Sequence, residues 1–488
     1  MNKFELMDYF FHPKNLTIVG VSRNLMSPSG MILSNIVAGD YKGPLNLINP
    51  NVREETKILG RSVKKSLKEV NTELDLVFVI VPSRSVPGVL EDIGSDGKAV
   101  IIISSGFGES ILYNKDKLSL QDEIIRIAKK NGFIFTGPNC NGVYSDAVSL
   151  NAIFGPRVKC LSGNISYVTR GGTAGIHFLI ETTERGIGVS KFINLGGAAG
   201  LEIQDFIEYY GQDPETNVIG AYTEGITHGK DFINIIKKVN REKPVVLFKS
   251  GNSQDGRKAA MSHVGAIAGE HSNKIFEGAV KQSGLISVES ITEVIDVCTS
   301  YMVSCIPKGR NIGIITPAGS LGVMASDACN KEGLKVPQLK PEVLEELNTW
   351  LPEYWSHSNP IDVTDSMNFN IFGRIIKLII NQDNIDGLIV LFGDVSDNQG
   401  DIVDFGVQVS DISGVFGEVI KGQVKKMNKY IKKSEKPVFF LGPIRARNNL
   451  PDFFRANNVV ILPEFRQIAR TYSALVGWYE NSRKDFNN

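Results

Sequence analysis

Short apolar runs rich in Val, Ile, Leu and Phe recur along the chain, each closed by Gly, Pro or Asn. In the first third they are "LTIVGVS" (16–22), "LNLIN" (45–49), "LDLVFVIVP" (74–82), "AVIIISSGF" (99–107) and "FIFTGPN" (133–139). Runs this short, apolar on consecutive positions, read as strands buried on both faces. Between them lie stretches of helical spacing such as "SLQDEIIRIAKKNG" (119–132). The alternation predicts βαβ units, a parallel sheet and a doubly wound α/β fold.

The same rhythm restarts at "GNISYVTRGGTAG" (163–175) and continues through "GVSKFINLGG" (188–197), "VIGAYTEGI" (218–226) and "PVVLFKSG" (244–251). It begins a third time at "RNIGIITPAGSLG" (310–322), followed by "IDGLIVLFG" (385–393) and "PVFFLGP" (437–443). Three starts imply three α/β domains, 1–150, 151–308 and 309–488, the second seam falling in the Pro/Gly/basic cluster "SCIPKGRN". The stretch 395–420 carries several glycines and is expected to be an irregular insertion.

Composition narrows the class. A chain of 488 residues suits about three domains, and 42% apolar with 22% charged residues is ordinary globular usage. Lys and Arg (53) balance Asp and Glu (53), so there is no cationic surplus for nucleic acid or an anionic membrane surface. Five cysteines, an odd number without a CxxC pair, argue against a disulfide framework and a structural zinc site. The first residues, "MNKFELMDYFFHPKNL", lack the apolar core of a signal peptide, and no apolar run reaches membrane-spanning length. A soluble protein of the cytoplasm is expected.

Chemistry is expected where strands end. The loop "VGVSRNLMSPSG" (19–30) joins a strand to a helix and offers backbone N–H groups and a helix N-terminus to an anion, without the GxGxxG of a dinucleotide site. "INP" (48–50), "VPSRSVP" (81–87), "SSGFGE" (104–109) and "GPNCNG" (137–142) should gather on the same carboxyl edge. The loops "VTRGGTAG" (168–175) and "ITPAGSLG" (315–322) repeat the strand-to-helix design and suit a phosphate or carboxylate. In "AAMSHVGAIAGEHS" (259–272), His263 follows a polar glycine loop. A neutral imidazole there is a competent nucleophile toward a phosphoryl group if a carboxylate fixes its tautomer, and Glu224 at the end of a neighbouring strand could supply one. On spacing alone a packed histidine is the more economical reading. His12, His177, His228, His271 and His357 have no Cys, His or Asp spacing that would make a metal site.

These residues together resemble the α subunit of the ADP-forming (NDP-forming) acyl-CoA synthetases, of the succinyl-CoA synthetase superfamily. The resemblance rests on "IVGVS", "NLINPN", "LDLVFVIVPS", "IISSGFGE" and "GPNCNGV" in the first domain. It continues with "YGQDPETNVIGAYTEGI", "KPVVLFKSG" and "SHVGAIAG" in the second and "LPEYWSHSNPIDVT" in the third. It implies a Rossmann-like CoA-binding domain followed by two flavodoxin-like ligase domains. The implied reaction activates a small carboxylic acid as an acyl phosphate, lets CoA displace the phosphate, and carries that phosphate on His263, steadied by Glu224.

By the same resemblance Thr169, Arg170, Gly171, Gly172 and Thr173 on one side, and Ala318, Gly319 and Ser320 on the other, hold the phosphate. CoA lies against Gly20, Ser22, Ser29, Gly30, Asn49, Pro50, Pro82, Ser105, Gly106, Asn139 and Cys140. ATP or ADP with Mg2+ belongs to a separate ATP-grasp β subunit in an α2β2-type assembly. Three departures stand out: Thr169-Arg170-Gly171-Gly172 replaces the family's SQSG or SRSG, Gly196-Gly197 replaces Gly-Asn, and "TPAGSLG" is poorer in glycine. All fall around the acyl and phosphate pocket, where Arg170 or Lys191 could serve an additionally anionic acid. A non-catalytic CoA-binding or regulatory paralogue is the alternative; a nicotinamide-dependent oxidoreductase lacks its glycine fingerprint and the acidic residue after the second strand.

Overall fold

The computed structural model describes residues 1–53, 55–108, 116–256, 258–259, 272–364, 369–391, 409–442 and 450–483. They divide into two compact units, one of residues 1–183 and 187–294, the other of 184–186 and 295–488.

The first unit holds two seven-stranded sheets. Strands β1 (Leu16–Val19), β2 (Leu45–Ile48), β3 (Lys57–Ile58), β4 (Arg61–Lys64), β5 (Leu74–Val79), β6 (Gly97–Ile102) and β7 (Ile134–Thr136) run in the order β3-β4-β2-β1-β5-β6-β7. All pairs are parallel except β3 with β4. Because side chains alternate faces along a strand, the continuous apolar runs are sorted into two cores. Ile18, Leu47, Phe78 and Ile101 enter one, and Val19, Ile48, Val79 and Ile102 the other. This is why every position of these runs is apolar: a parallel sheet is covered on both sides.

The second sheet contains β8 (Gly142–Ser145), β9 (Leu150–Ile153), β10 (Leu161–Thr169), β11 (Gly188–Asn194), β12 (Val218–Thr223), β13 (Val245–Lys249) and β14 (Ile286–Val288). Their order is β14-β13-β12-β10-β11-β8-β9. The hairpin β8–β9 pairs antiparallel and is added to β11 antiparallel. Its residues directly follow the GPNC loop, so the chain passes from the first sheet into the second at that loop.

The second unit is built on a fully parallel sheet of β15 (Ile312–Thr316), β16 (Ile361–Asp362), β17 (Gly387–Leu391), β18 (Val438–Leu441) and β19 (Val460–Leu462), in the order β16-β15-β17-β18-β19. The expected irregular insertion over 395–420 is corrected in its last part: a helix begins at Val409 and runs to Ser434. Val409, Ile412, Val415, Phe416, Val419 and Ile420 keep helical spacing, but Gly414, Gly417 and Gly422 disguise it. Each glycine costs about 1 kcal/mol against alanine, which a helix of this length and apolar period can carry. Its buried Val424, Met427 and Ile431 join the core of the unit. The remainder of the stretch lies outside the described residues.

Candidate functional site

The loops of the first sheet form one hydrogen-bonded rim. Gly20 N–H donates to the Ile48 carbonyl at 2.9 Å, and the Asn49 side chain donates back to the Val21 carbonyl at 2.8 Å. Val81 N–H donates to Ser104 Oγ at 3.1 Å, and Asn139 N–H to the Ser104 carbonyl at 2.9 Å. Gly20 is required: its φ is +94°, and a Cβ there would lie 2.1 Å from the Ile80 carbonyl oxygen. The exposed members of the rim are Pro50, Pro82, Ser105 and Asn139, with Ser22, Asn49 and Gly106 half-buried.

Three of the expected CoA contacts face inward. Ser29 and Gly30 are buried at the start of the helix Pro28–Ala38, whose third N–H is already taken by the capping Ser27 hydroxyl at 3.2 Å. Cys140 is 2% exposed, its thiol donates to the Ile102 carbonyl at 3.2 Å, and burial pushes its pKa up to about 12. These three residues lie behind the rim, not on its exposed edge.

In the second sheet, one device ends two neighbouring strands. The Thr169 hydroxyl closes a turn by donating to the Gly171 carbonyl (2.9 Å) and accepting its N–H (3.2 Å). Thr223 does the same with Gly225, at 2.7 and 3.1 Å. The Thr169 turn delivers the helix Gly172–Glu184, whose first N–H groups have no intrahelical acceptor. The Thr223 turn presents Glu224, half-buried. Tyr222 joins the two turns. Its carbonyl accepts the Arg170 N–H at 3.0 Å, and its hydroxyl donates to Glu224 Oε1 at 3.3 Å while lying 2.9 Å from Ser250 Oγ. The structure thus brings Glu224 beside Thr169, Arg170, Gly171 and Gly172, with Thr173 exposed on the helix's first turn. Tyr222 and Ser250 are not among the sequence-predicted site residues; Tyr222 is the last but one residue of β12, two before Glu224 in the turn that follows. His263 lies outside the described residues.

Arg170 is nine-tenths buried, and its guanidinium donates to the Gly197 carbonyl at 3.0 Å and the Gly225 carbonyl at 3.4 Å. Lys191, the other cation considered for an anionic acid, is corrected. β11 pairs it with Ser145 and Ser166, fully buried, and its ammonium meets Asp213 at 2.8 Å and also Glu215. Its charge is engaged by the buried Asp213 and the half-exposed Glu215.

In the second unit the same turn recurs where Thr316 holds Ala318, at 2.8 and 3.2 Å, before the helix Gly319–Lys331. Gly319 and Ser320 are exposed, but the Asp362 carboxylate, which accepts Thr364 N–H at 2.9 Å, lies 3.1 Å from where a Cβ on Gly319 would stand. That helix therefore begins beside a protein carboxylate, a favourable partner for its dipole. Among the described residues no His, Cys, Asp or Glu cluster converges as metal ligands would, and no helix is long and apolar enough to cross a membrane.

Three family models match the sequence in succession: a CoA binding domain over 14–146, a succinyl-CoA ligase like flavodoxin domain over 162–301 and a ligase-CoA domain over 312–396. The chain is 36% identical, over 79% of its length and 82% of the relative's, to the α subunit of acetate–CoA ligase (ADP-forming) II from Pyrococcus furiosus. It is 32% identical to acetate–CoA ligase (ADP-forming) I from Archaeoglobus fulgidus, over 78% of this chain but 54% of that one, so it spans about half of that longer relative. Among solved structures, the dinucleotide forming acetyl-coenzyme A synthetase 1 of Candidatus Korarchaeum cryptofilum, in complex with phosphate and ADP, matches with a TM-score of 0.82. The two are 27% identical, over 99% of this chain and 98% of that chain. Glycine-lined strand ends in the first sheet, a glutamate fixed beside a helix N-terminus in the second, and these likenesses agree: the chain belongs to the ADP-forming acyl-CoA synthetases, as an α subunit of that family.

Proposed function

We propose that this acid–CoA ligase subunit works through a phosphohistidine on His263 and an acyl phosphate. In the synthetic direction the phosphoryl group of ATP moves to the imidazole. A carboxylate oxygen of the acid then takes it from the imidazole nitrogen, giving the mixed anhydride. The CoA thiolate finally attacks the acyl carbon, and inorganic phosphate leaves. Glu224 is assigned to hold the imidazole tautomer and to balance the cation that forms on phosphorylation. The helix N-terminus at Gly172 is assigned to the phosphoryl oxygens, whose spread charge suits fixed N–H dipoles. The observation that carries this reading is the placing of Glu224, held by Tyr222, against the 169–172 turn.

The first-sheet rim is assigned to CoA, with Gly20, Ser22, Asn49, Pro50, Pro82, Ser105, Gly106 and Asn139 in contact. The close backbone approach at Gly20 is what a ligand-cradling loop needs. Ala318, Gly319 and Ser320 are assigned to a second phosphate-holding loop. Domains 1–150, 151–308 and 309–488 are supported by the three sheets and the three successive family models. An ATP-grasp partner that brings ATP and Mg2+ in an α2β2 assembly is supported by the α-subunit name of one relative and by the greater length of the other. A cytoplasmic setting fits these substrates.

The test is co-expression with the partner subunit followed by incubation with γ-labelled ATP. An acid-labile, alkali-stable label should appear on this chain and vanish in His263→Ala, with acyl-CoA synthesis lost by at least about a thousandfold. Label that persists in His263→Ala would move the phosphate elsewhere. A wild-type chain that binds CoA but takes no label would instead make it a regulatory paralogue.

A further inference from the structure

Arg170 departs from the use a buried arginine ordinarily has. Its hydrogen bonds run to two backbone carbonyls on different loops, Gly197 after β11 and Gly225 after β12. Its Nε has no hydrogen-bond partner among the described residues. Burial opposes the cation, while Glu202 and Glu224 attract it at longer range; a guanidinium stays charged regardless. Taking such a group out of water costs free energy that two neutral acceptors repay poorly. A purely structural link between these loops needs no charge.

Both loops lead to groups with assigned work. The Gly197 N–H donates to the Pro138 carbonyl at 2.8 Å, next to Asn139 of the GPNC loop. Gly196, at φ +52°, packs so closely there that a Cβ would stand 2.2 Å from the Asn139 carbonyl oxygen. Gly225 directly follows Glu224, and the Arg170 N–H holds the Tyr222 carbonyl on the other side of that glutamate. One planar guanidinium therefore bonds both the turn that packs on the GPNC loop and the turn that carries Glu224.

We propose that Arg170 is a positioning residue that locks the 196–197 turn and the Glu224 turn in one arrangement, so that the thiol end of CoA and the phosphoryl-carrying imidazole share a single geometric reference. The inference rests on the assignments under the proposed function. A fork with two donor nitrogens in one rigid plane can reach carbonyls set apart on two loops, whereas a lysine's three donors all radiate from a single nitrogen and reach less far. Arg170 touches no reacting atom in this role; it acts through Glu224 and the GPNC loop.

The test uses the full chain as wild type, R170M and R170K. Calorimetric titration with CoA reads the rim, and the rate of histidine labelling from ATP, with the ATP-grasp subunit present, reads the Glu224 end. R170M is expected to weaken CoA binding about tenfold and slow labelling about tenfold, charged hydrogen bonds being lost at both ends. R170K should fall between in both. In steady-state turnover KM for CoA should rise along with the fall in kcat, whereas a smaller folded fraction would lower kcat alone. Amide exchange at Gly197 and Gly225 should quicken together. If only one end responds, or neither, the coupling is wrong; if R170M does not fold, R170K alone decides by the same two readings. A wild-type chain that neither binds CoA nor takes label sinks the underlying assignments, and this inference with them, and is recognised because the failure precedes any substitution.

Discussion

His12 sits between two carboxylates, its Nδ1 2.8 Å from Asp8 Oδ1 and its Nε2 3.5 Å from Glu215 Oε2. The Tyr209 hydroxyl donates to the same Asp8 oxygen at 2.8 Å. The hydrogen bond to Asp8 raises the imidazole pKa above its ordinary value, with burial and the nearby Lys191 pulling the other way. The same bond holds the Asp8 carboxyl below the usual range, against the opposing effect of burial. A base raised by folding stabilises fully below its unfolded pKa, about 6.5, and loses that contribution as pH climbs through the folded value. An acid lowered by folding stabilises fully above its unfolded pKa, about 3.9, and loses it as pH falls through the folded one. The pair therefore works best between those limits. The Tm advantage of wild type over His12→Gln should be largest near pH 5–6 and fade toward pH 8; a difference constant from pH 5 to 9 would show that packing, not charge, is at work.

At the scale of elements, apolar runs of consecutive positions made the strands of the main parallel ladders legible, because only a sheet covered on both faces asks for them. The same logic could not show that β8 and β9 form an antiparallel hairpin, since four-residue alternations carry little signal, nor find a helix through three glycines. Glu224 was legible as a carboxylate closing a strand. The double hold of Arg170 was not, because its partners are main-chain carbonyls that any residue possesses. Lys191 is disguised for a related reason: one lysine in "GVSKFIN" looks available until register places it inside β11. With Lys191 fully buried and Asp213 5% exposed, Lys191→Met strands a carboxylate in the interior, at a cost of about 3–5 kcal/mol. The urea midpoint of the transition that includes the second sheet should fall accordingly. Pairing Lys191→Met with Asp213→Asn should recover part of the loss; an unchanged midpoint in the single variant would mean the ion pair contributes nothing.

At the scale of the molecule, the first-sheet rim proposed for CoA, Glu224 and the 169–173 turn all belong to the first compact unit, and the 318–320 turn to the second. Each unit has its own apolar core: Ile18, Phe78, Ile193 and Leu247 lie in one continuous cluster of the first, and Ile315, Ile376, Val390 and Phe440 in that of the second. Separate cores predict separate cooperative transitions. A ligand held by one unit stabilises only that unit, by about 2.7 kcal/mol when present at 100 times its Kd. Scanning calorimetry of the full chain should resolve two transitions, and CoA should raise one of them by several degrees while leaving the other in place. Gly20→Val, which forces a branched side chain onto the Ile80 carbonyl, should abolish the CoA-induced rise. The transition that responds is identified by Lys191→Met, because Lys191 lies in the first unit and must lower the same peak that CoA raises. If CoA lifts the peak that Lys191→Met leaves untouched, the rim of the first sheet is not where CoA binds.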